Sequence, residues 1–235
     1  MPSYMNSYHA HSFLRKFQRN KYEKKYADLI QKNKDKKILV ILHMFYPQSW
    51  KEIKEYLLNF APYNWELVIT HPTELKEKLP LDEIALFKEG TRFYDYPNRG
   101  YDIAPFMRVL KEIDLDAYDI VFKLQSKGVK RKAIFIYKQL FFGRDWFLNL
   151  YEGCVGAKGI HKTIDVLCDK TRKEGVACAA NLAVKDPIHK QHLVEKTLKN
   201  YNLPFVPNYD FIAGTCYAIR PEHLKEFKDM PYSDK

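Results

Sequence analysis

The sequence predicts an α/β fold with a mostly parallel, doubly wound sheet flanked by helices. Three observations carry this expectation. Ile38 to Tyr46 is, but for His43, a continuous apolar run that suits a strand buried on both faces. From there to Gln125, strand-like and helix-like segments alternate through four strands, the rhythm of parallel βαβ units. The chain has 235 residues and is 46% hydrophobic, enough for one large domain with a sizeable core.

Residues 1–36 differ in texture from the rest of the chain. Phe13, Leu14, Phe17, Tyr22, Tyr26, Leu29 and Ile30 recur at helical spacing among basic residues, predicting an amphipathic N-terminal helix from about His11 to Lys32. Packing on the domain, pairing with a partner and lying on a membrane are its three open roles, and packing is the default. The main domain is expected over 37–235. Its first strand, Ile38 to Tyr46, leads into a helix from about Trp50 to Phe60. Trp65 to Thr70 is a second strand and Leu81 to Lys88 a helix. Thr91 to Tyr96 alternates as a third strand, a helix runs to about Ile113, and Tyr118 to Gln125 is the fourth strand.

Beyond residue 132 the pattern loosens. Ala133 to Tyr151 is rich in aromatics and reads as a buried helix, Ile160 to Lys173 as a further helix, and Val176 to Leu182 as a short strand. Ile188 to Tyr201 reads as helical, Phe205 and Val206 as extended, and Ile212 to Ile219 as a strand. Pro221 to Phe227 closes the series as a helix whose proline suits the first turn. There is no internal repeat or low-complexity linker.

Charge and cysteine usage narrow the function classes. The formal net charge is +10 and the pI about 9.2, so an anionic partner or a lysine-rich solvated face is implied. Much of the excess lies between Arg15 and Lys37, in the N-terminal segment. Nucleic-acid binding would rest on charge alone, since no aromatic-basic recognition motif is present. No apolar run approaches the ~20 residues of a bilayer span, and the N-terminus lacks an apolar signal core, so a cytoplasmic protein is expected. Cys154, Cys168, Cys178 and Cys216 form no CxxC pair and read as reduced packing residues, without a zinc site.

The segment from Asn98 to Phe106, Asn-Arg-Gly-Tyr-Asp-Ile-Ala-Pro-Phe, joins a strand to a helix with turn formers, a glycine and an acid. A helix N-terminus there offers free N–H groups and a positive dipole end, while Asn98 and Asp102 can bond sugar hydroxyls or a base. The other reading is a tight turn in which Asn98 and Gly100 supply backbone angles and Asp102 caps the helix. Tyr118 to Lys127 turns polar at its carboxyl end. In open α/β sheets ligands sit beyond those ends, so Lys123, Gln125 and Lys127 are expected to converge on a crevice beside the Asn98 loop.

Together the two segments resemble the rhamnan synthesis protein F family, glycosyltransferases of bacterial cell-wall and surface polysaccharide assembly. The family's Asn-Arg-Gly-x-Asp-Ile-x-Pro-Phe pattern is met in full by residues 98–106. His43-Met44-Phe45-Tyr46-Pro47 and Thr70-His71-Pro72 look like its opening strand ends, and Phe211 to Glu222 like its late Gly-Thr strand and Arg-Pro-Glu segment. The family's Lys-Leu-His-Thr-Lys strand end carries Gln125 at the histidine position here, a side chain that is neither acid nor base. Its His-Ala-x-Glu-Arg-like segment falls beyond Lys235.

The resemblance implies a GT-A-like domain with a nucleotide-binding half over 37–132 and an acceptor half over 133–235. It implies transfer of a sugar from a nucleotide-sugar donor, such as dTDP-rhamnose, to a glycan or lipid-linked acceptor; a noncatalytic nucleotide- or carbohydrate-binding domain of a larger synthase is the alternative. A lipid-linked acceptor would bring the protein to the anionic inner face of the membrane. Such transfer needs base recognition, charge neutralisation for the leaving diphosphate and a group that deprotonates the acceptor. Many GT-A enzymes hold a divalent metal with an Asp-x-Asp motif after the fourth strand; here Lys123-Leu124-Gln125-Ser126-Lys127 stands there, so ammonium groups are expected to serve and no cofactor is required, with solvated strand-end lysines and a divalent metal as the open alternatives. Asp102 and Asp210 are the candidate catalytic carboxylates. His43 and Thr70, at strand ends, join Asn98, Gly100, Asp102, Lys123, Gln125 and Lys127 as donor-binding candidates, with a satisfied core histidine and a plain β-former as the other readings of those two. Trp146, Gly214 and Thr215 are acceptor-side candidates, with core packing and close strand approach as the other readings for Trp146 and Gly214.

Overall fold

The computed structural model describes residues 2–128, 130–136, 139–185, 188–200, 202 and 204–228. Two N-terminal helices, α1 (Pro2–Lys25) and α2 (Ala27–Asn33), precede the sheet. The first half then alternates: β1 (Lys37–His43), α3 (Trp50–Leu57), β2 (Asn64–Pro72), α4 (Leu81–Phe87), β3 (Arg92–Tyr96), α5 (Ile103–Glu112) and β4 (Ile120–Gln125). The second half holds β5 (Lys130–Ile136), β6 (Gln139–Gly143), α6 (Asp145–Val155), α7 (Ile160–Cys168), β7 (Val176–Cys178), β8 (Ala183–Lys185), α8 (Ile188–Asn200), β9 (Asp210–Ile212), β10 (Tyr217–Ile219) and α9 (Lys225–Lys228).

The main sheet has the order β3-β2-β1-β4-β10-β7. The four strands from β3 to β4 run parallel, while β10 is antiparallel to both β4 and β7. The mostly parallel expectation holds, with an antiparallel extension on one side. Every residue of β1 from Ile38 to His43 is buried because side chains alternate between two covered faces. Ile38, Val40 and Leu42 join α3, α6 and α7 in one core, whereas Leu39 and Ile41 join Phe106, Val109, Leu110 and Ile113 of α5 and its C-terminal end in the other. The i, i+3, i+4, i+7 spacing of those last four residues is why α5 lies flat on the sheet.

Three expectations from the second half are corrected. Residues 133–136 and 139–143 are not helical: they lie in the antiparallel strands β5 and β6, and α6 starts only at Asp145. Alternation explains it, since Phe141 is buried while Leu140 and Phe142 are exposed, and β-branched and aromatic residues favour strands. Gly143, at φ +56, then turns the chain. The helix after Ile160 stops at Cys168, not Lys173, because the Asp169 carboxylate accepts hydrogen bonds from the Thr171 N–H (3.0 Å) and hydroxyl (2.7 Å) in a local turn. The buried Arg220 guanidinium donates to the carbonyls of Leu167 (3.0 Å), Asp169 (2.6 Å) and Arg172 (3.1 Å), satisfying that helix end. Finally, the strand expected over Ile212 to Ile219 is cut into β9 and β10 by left-handed Gly214 (φ +80) and Thr215 (φ 54).

Two shorter expectations are also trimmed: Val176 to Leu182 is a three-residue strand followed by a 3-10 turn, and Tyr201 lies outside the described residues. Cys154, Cys168 and Cys216 are buried, Cys178 is half-buried, and all four are free thiols.

The expected N-terminal helix forms in two pieces that break at Tyr26, and only part of its apolar set docks: Tyr22, Tyr26, Leu29 and Ile30 are half-buried, Ile30 against the core. Phe13, Leu14 and Phe17 point outward, and α1 packs on α3 through basic side chains. Arg15 stacks 4.5 Å over the Tyr56 ring and bonds its hydroxyl, and Arg19 donates to the Glu55 carbonyl at 3.3 Å. α2 is tied to α7 through Asp165, which accepts from Lys32 (2.7 Å) and Asn33 (3.0 Å).

Candidate functional site

The chain runs β1 to β2 to β3 in one direction across the sheet and then returns through α5 to set β4 on the far side of β1. The carboxyl ends of β1 and β4 therefore flank the point where the strand order reverses, the usual ligand position in such sheets. A cleft of about 390 Å³ opens there, lined by His43, Phe45, Tyr46, Asn98, Tyr101, Asp102, Gln125, Ser126, Lys127, Gly128 and Trp146. His43 and Gln125 are direct register partners at the two strand ends. The Ser126 hydroxyl oxygen accepts from the N–H groups of Phe45 (2.7 Å) and Tyr46 (3.0 Å), fixing the turn that carries the two aromatics. Gly128 lets Tyr46 lie close, since a Cβ there would meet the ring at 2.8 Å.

Beneath the cleft lies a polar network that joins the two halves of the chain. Lys123 is 1% exposed, and its ammonium donates to Asp102 Oδ2 and to the Thr215 carbonyl (3.1 Å). The Thr215 hydroxyl donates to the same Asp102 oxygen at 2.6 Å. Gln125 Nε2 donates to the Gly214 carbonyl and the Thr215 hydroxyl oxygen, while its Oε1 accepts from Lys127 at 2.7 Å. The Phe106 and Tyr217 rings flank the Lys123 ammonium at 5.5 and 6.0 Å.

Backbone geometry explains how these side chains meet. Gly100 (φ 71) and Tyr101 (φ 54) form one left-handed pair, and Gly214 (φ 80) and Thr215 (φ 54) form another. The first pair swings Asp102 inward at the start of α5; the second brings the Thr215 hydroxyl and carbonyl against it. Tyrosine carries a steric penalty in this region that glycine does not, so Tyr101 is held there by its surroundings while its side chain stays 88% exposed at the cleft mouth.

Electrostatics follow from burial and pairing. Burial works to raise the Asp102 pKa, but the Lys123 charge and the hydrogen bonds from Lys123 and Thr215 outweigh it, leaving the carboxyl below its usual range. Asp102 is thus an ionised acceptor already engaged by two donors. Burial drives the His43 imidazole down to about 4; the Asp102 charge opposes that shift, and Lys123 reinforces it. His43 is neutral at pH 7, with Nδ1 2.9 Å from the Thr70 hydroxyl oxygen.

Of the residues singled out from sequence, His43, Asn98, Asp102, Gln125, Lys127 and Trp146 line the cleft. Lys123, Thr70, Gly214 and Thr215 stand behind its wall: Lys123 neutralises Asp102, Thr70 orients His43, and Thr215 bonds Asp102. Gly100 supplies the left-handed turn, and Asp102 begins α5 without capping it through its side chain. A Cβ on Gly214 would come within 2.6 Å of Leu150 and 2.9 Å of Trp146, so close approach accounts for that glycine. Asp210 is exposed on the separate β8–β9 ribbon, opposite Lys185, and does not line the cleft. Sequence reasoning does not single out Phe45, Tyr46, Tyr101, Ser126 or Gly128 as lining residues. The aromatic pair just past the β1 end is the available signal.

The family model for rhamnan synthesis protein F matches residues 5–153. The chain belongs to the rhamnan synthesis protein F family. That family serves the synthesis of rhamnan, a surface polysaccharide, and the matched span carries every cleft-lining residue. No curated protein and no solved structure matches the chain. Among the described residues no helix is long and apolar enough to cross a membrane, and no three His, Cys, Asp or Glu residues cluster as a metal site.

Proposed function

We propose that this protein is a glycosyltransferase that takes a sugar from a nucleoside diphosphate donor, of the dTDP-rhamnose type, and passes it to a growing surface polysaccharide. The observation that carries the reading is the cleft at the β1–β4 strand reversal, walled by Asn98, Tyr101 and Lys127 within a rhamnan-synthesis family span. In the transfer, the bond from the anomeric carbon to the diphosphate breaks and its electron pair leaves with the diphosphate. The acceptor oxygen bonds to that carbon, and the acceptor proton goes to a base.

Within the cleft, Lys127 is the cation nearest to hand for the diphosphate, so the donor is held without a metal ion. Asn98 bonds the donor's sugar or base, and Tyr101 closes over it from the cleft mouth. The proton is taken by His43 Nε2 in the tautomer whose Nδ1–H donates to Thr70, because the Asp102 carboxylate is already committed to Lys123 and Thr215. A screen of nucleotide sugars by thermal shift and calorimetry tests the proposal. A true donor at 100 times its dissociation constant adds about 2.7 kcal/mol of stability, and EDTA leaves binding intact. The absence of any shift across nucleoside diphosphates and their sugars overturns the proposal.

A binding domain without catalysis is the second reading. It is favoured by one observation: among the described residues the single acid on the cleft wall is neutralised by Lys123, and Gln125 carries no titratable proton. Donor binding without hydrolysis or transfer, unchanged in His43→Gln, selects it.

A further inference from the structure

From Phe13 to Lys25 the outer face of α1 passes from apolar to cationic. Phe13, Leu14 and Phe17 are 70%, 54% and 61% exposed, while Arg15 and Arg19 on the opposite side bind Tyr56 and Glu55 of α3. At 100° per residue, Phe13, Leu14, Phe17, Lys21 and Lys24 fall within an arc of about 100°, roughly opposite Arg15, Arg19 and Tyr22. The helix is therefore fixed to the protein by one stripe and presents the other outward. Its single acid, Glu23, is half-buried, whereas Lys16, Lys21, Lys24 and Lys25 are exposed.

We infer that this face seats the protein on an anionic lipid surface, with Phe13, Leu14 and Phe17 in the acyl boundary and Lys21, Lys24 and Lys25 among the phosphates. Aromatic and leucine side chains beside lysines are the composition that suits the bilayer interface, since long lysine stems reach headgroups while rings sit below them. The charge pattern also argues against a parallel second copy of the chain, because two such faces side by side would set lysine against lysine. The inference stands apart from the sugar-transfer reading, as it uses none of the cleft residues.

The test is vesicle co-sedimentation of the full chain, with phosphatidylglycerol–phosphatidylcholine vesicles compared with phosphatidylcholine alone. Wild-type protein should partition onto the anionic vesicles, and added salt should weaken binding. The triple variant Phe13→Ser, Leu14→Ser, Phe17→Ser should lose about tenfold in partitioning with an unchanged melting temperature, since those side chains contribute no core packing. Lys21→Gln, Lys24→Gln, Lys25→Gln should lose binding to anionic vesicles by a similar factor. Equal partitioning of wild type and both variants, or no partitioning at all, overturns the inference. A solution dimer by light scattering that the serine variant dissociates overturns it too, and assigns the face to a second copy instead. Nucleotide-sugar binding, measured on the same variants, is expected to be unaffected, which keeps this outcome separate from that of the cleft.

Discussion

The first half of the chain, through Lys127, and the second half, from Gln139, reach the same cleft by different means. The first half does so with regular elements: strand ends set His43 and Gln125 side by side, and a loop delivers Asp102. The second half contributes short strands and turns, yet its Gly214–Thr215 corner supplies the partners that hold Asp102 and Gln125. The difference teaches that regularity and importance to the site are separate properties. A two-residue corner does for the cleft floor what a whole strand does for its wall.

Removing Asp102 disturbs that junction most severely, because its carboxylate is paired with Lys123 inside the first half and accepts from the Thr215 hydroxyl of the second. Asp102→Ala leaves the Lys123 ammonium buried without its counter-charge, which costs about 3–5 kcal/mol in chemical denaturation. The double change Asp102→Asn with Lys123→Met restores most of this. A single variant within about 1 kcal/mol of wild type would mean that Asp102 is not what compensates the buried Lys123 charge. The sequence alone treats Asp102 as a loop carboxylate with little role in packing; the fold makes it the pin between halves.

Arg220→Ala probes the second half by itself. Loss of its bonds to four carbonyls, those of Val166, Leu167, Asp169 and Arg172 at and just beyond the end of α7, is expected to cost about 3 kcal/mol, with nucleotide-sugar affinity at the remaining folded protein unchanged. A loss of nucleotide-sugar affinity in this variant would show that the end of α7 and the cleft are coupled.

Acid sharpens the comparison, because each half contributes a buried neutral histidine. His43 and His161 are both lowered to about 4, chiefly by burial, and His161 Nδ1 lies 2.7 Å from the Tyr63 hydroxyl oxygen. A depressed folded pKa favours the folded state fully above the unfolded value of ~6.5, and that contribution is lost as pH falls toward the folded value. Stability should therefore decline as pH drops from about 6.5 to 4, by on the order of 2 kcal/mol for each histidine. Measured melting curves of His161→Phe and His43→Gln should each flatten part of that decline. A profile flat over this range in wild type would contradict both assignments.

The smallest effect on folding is expected from Tyr101→Gly. Relief of the left-handed conformation offsets the added freedom of the unfolded chain, so stability changes by less than about 1 kcal/mol. Donor affinity should nevertheless fall, since the exposed ring at the cleft mouth is lost. Unchanged affinity would leave Tyr101 a turn residue only.

The sheet's first half is legible in the sequence because its strands are buried on both faces and so read as apolar runs, and because the Asn98–Phe106 pattern marks a strand-to-helix turn. His43 and Lys127 are legible as strand-end residues. Pairings over long separations stay hidden: nothing near Lys123 in sequence reveals that its charge is neutralised by Asp102. The aromatic hairpin mimics a buried helix because residues 133–143 are apolar enough for one, and only the in-and-out alternation around Phe141 distinguishes a strand. The Arg-Pro-Glu segment carries a family signal, but Arg220 serves the end of α7. The apolar residues of the N-terminal helix reveal that it is a helix, whereas Arg15 over Tyr56 and Arg19 on the Glu55 carbonyl decide which face docks.

The antiparallel strand β10 has a consequence for the order in which the protein comes into being. β4 leaves the ribosome with β1 available on one side and an open edge on the other. Its second neighbour, Tyr217–Ile219, is synthesised more than a third of the chain's length later. Until then the row of N–H and C=O groups on β4 is a template for any passing strand, and Lys123 has Asp102 but not the Thr215 carbonyl. The nascent chain thus passes through a stage with its sheet begun and its cleft unfinished, which makes prompt arrival of the last quarter a condition for escaping aggregation.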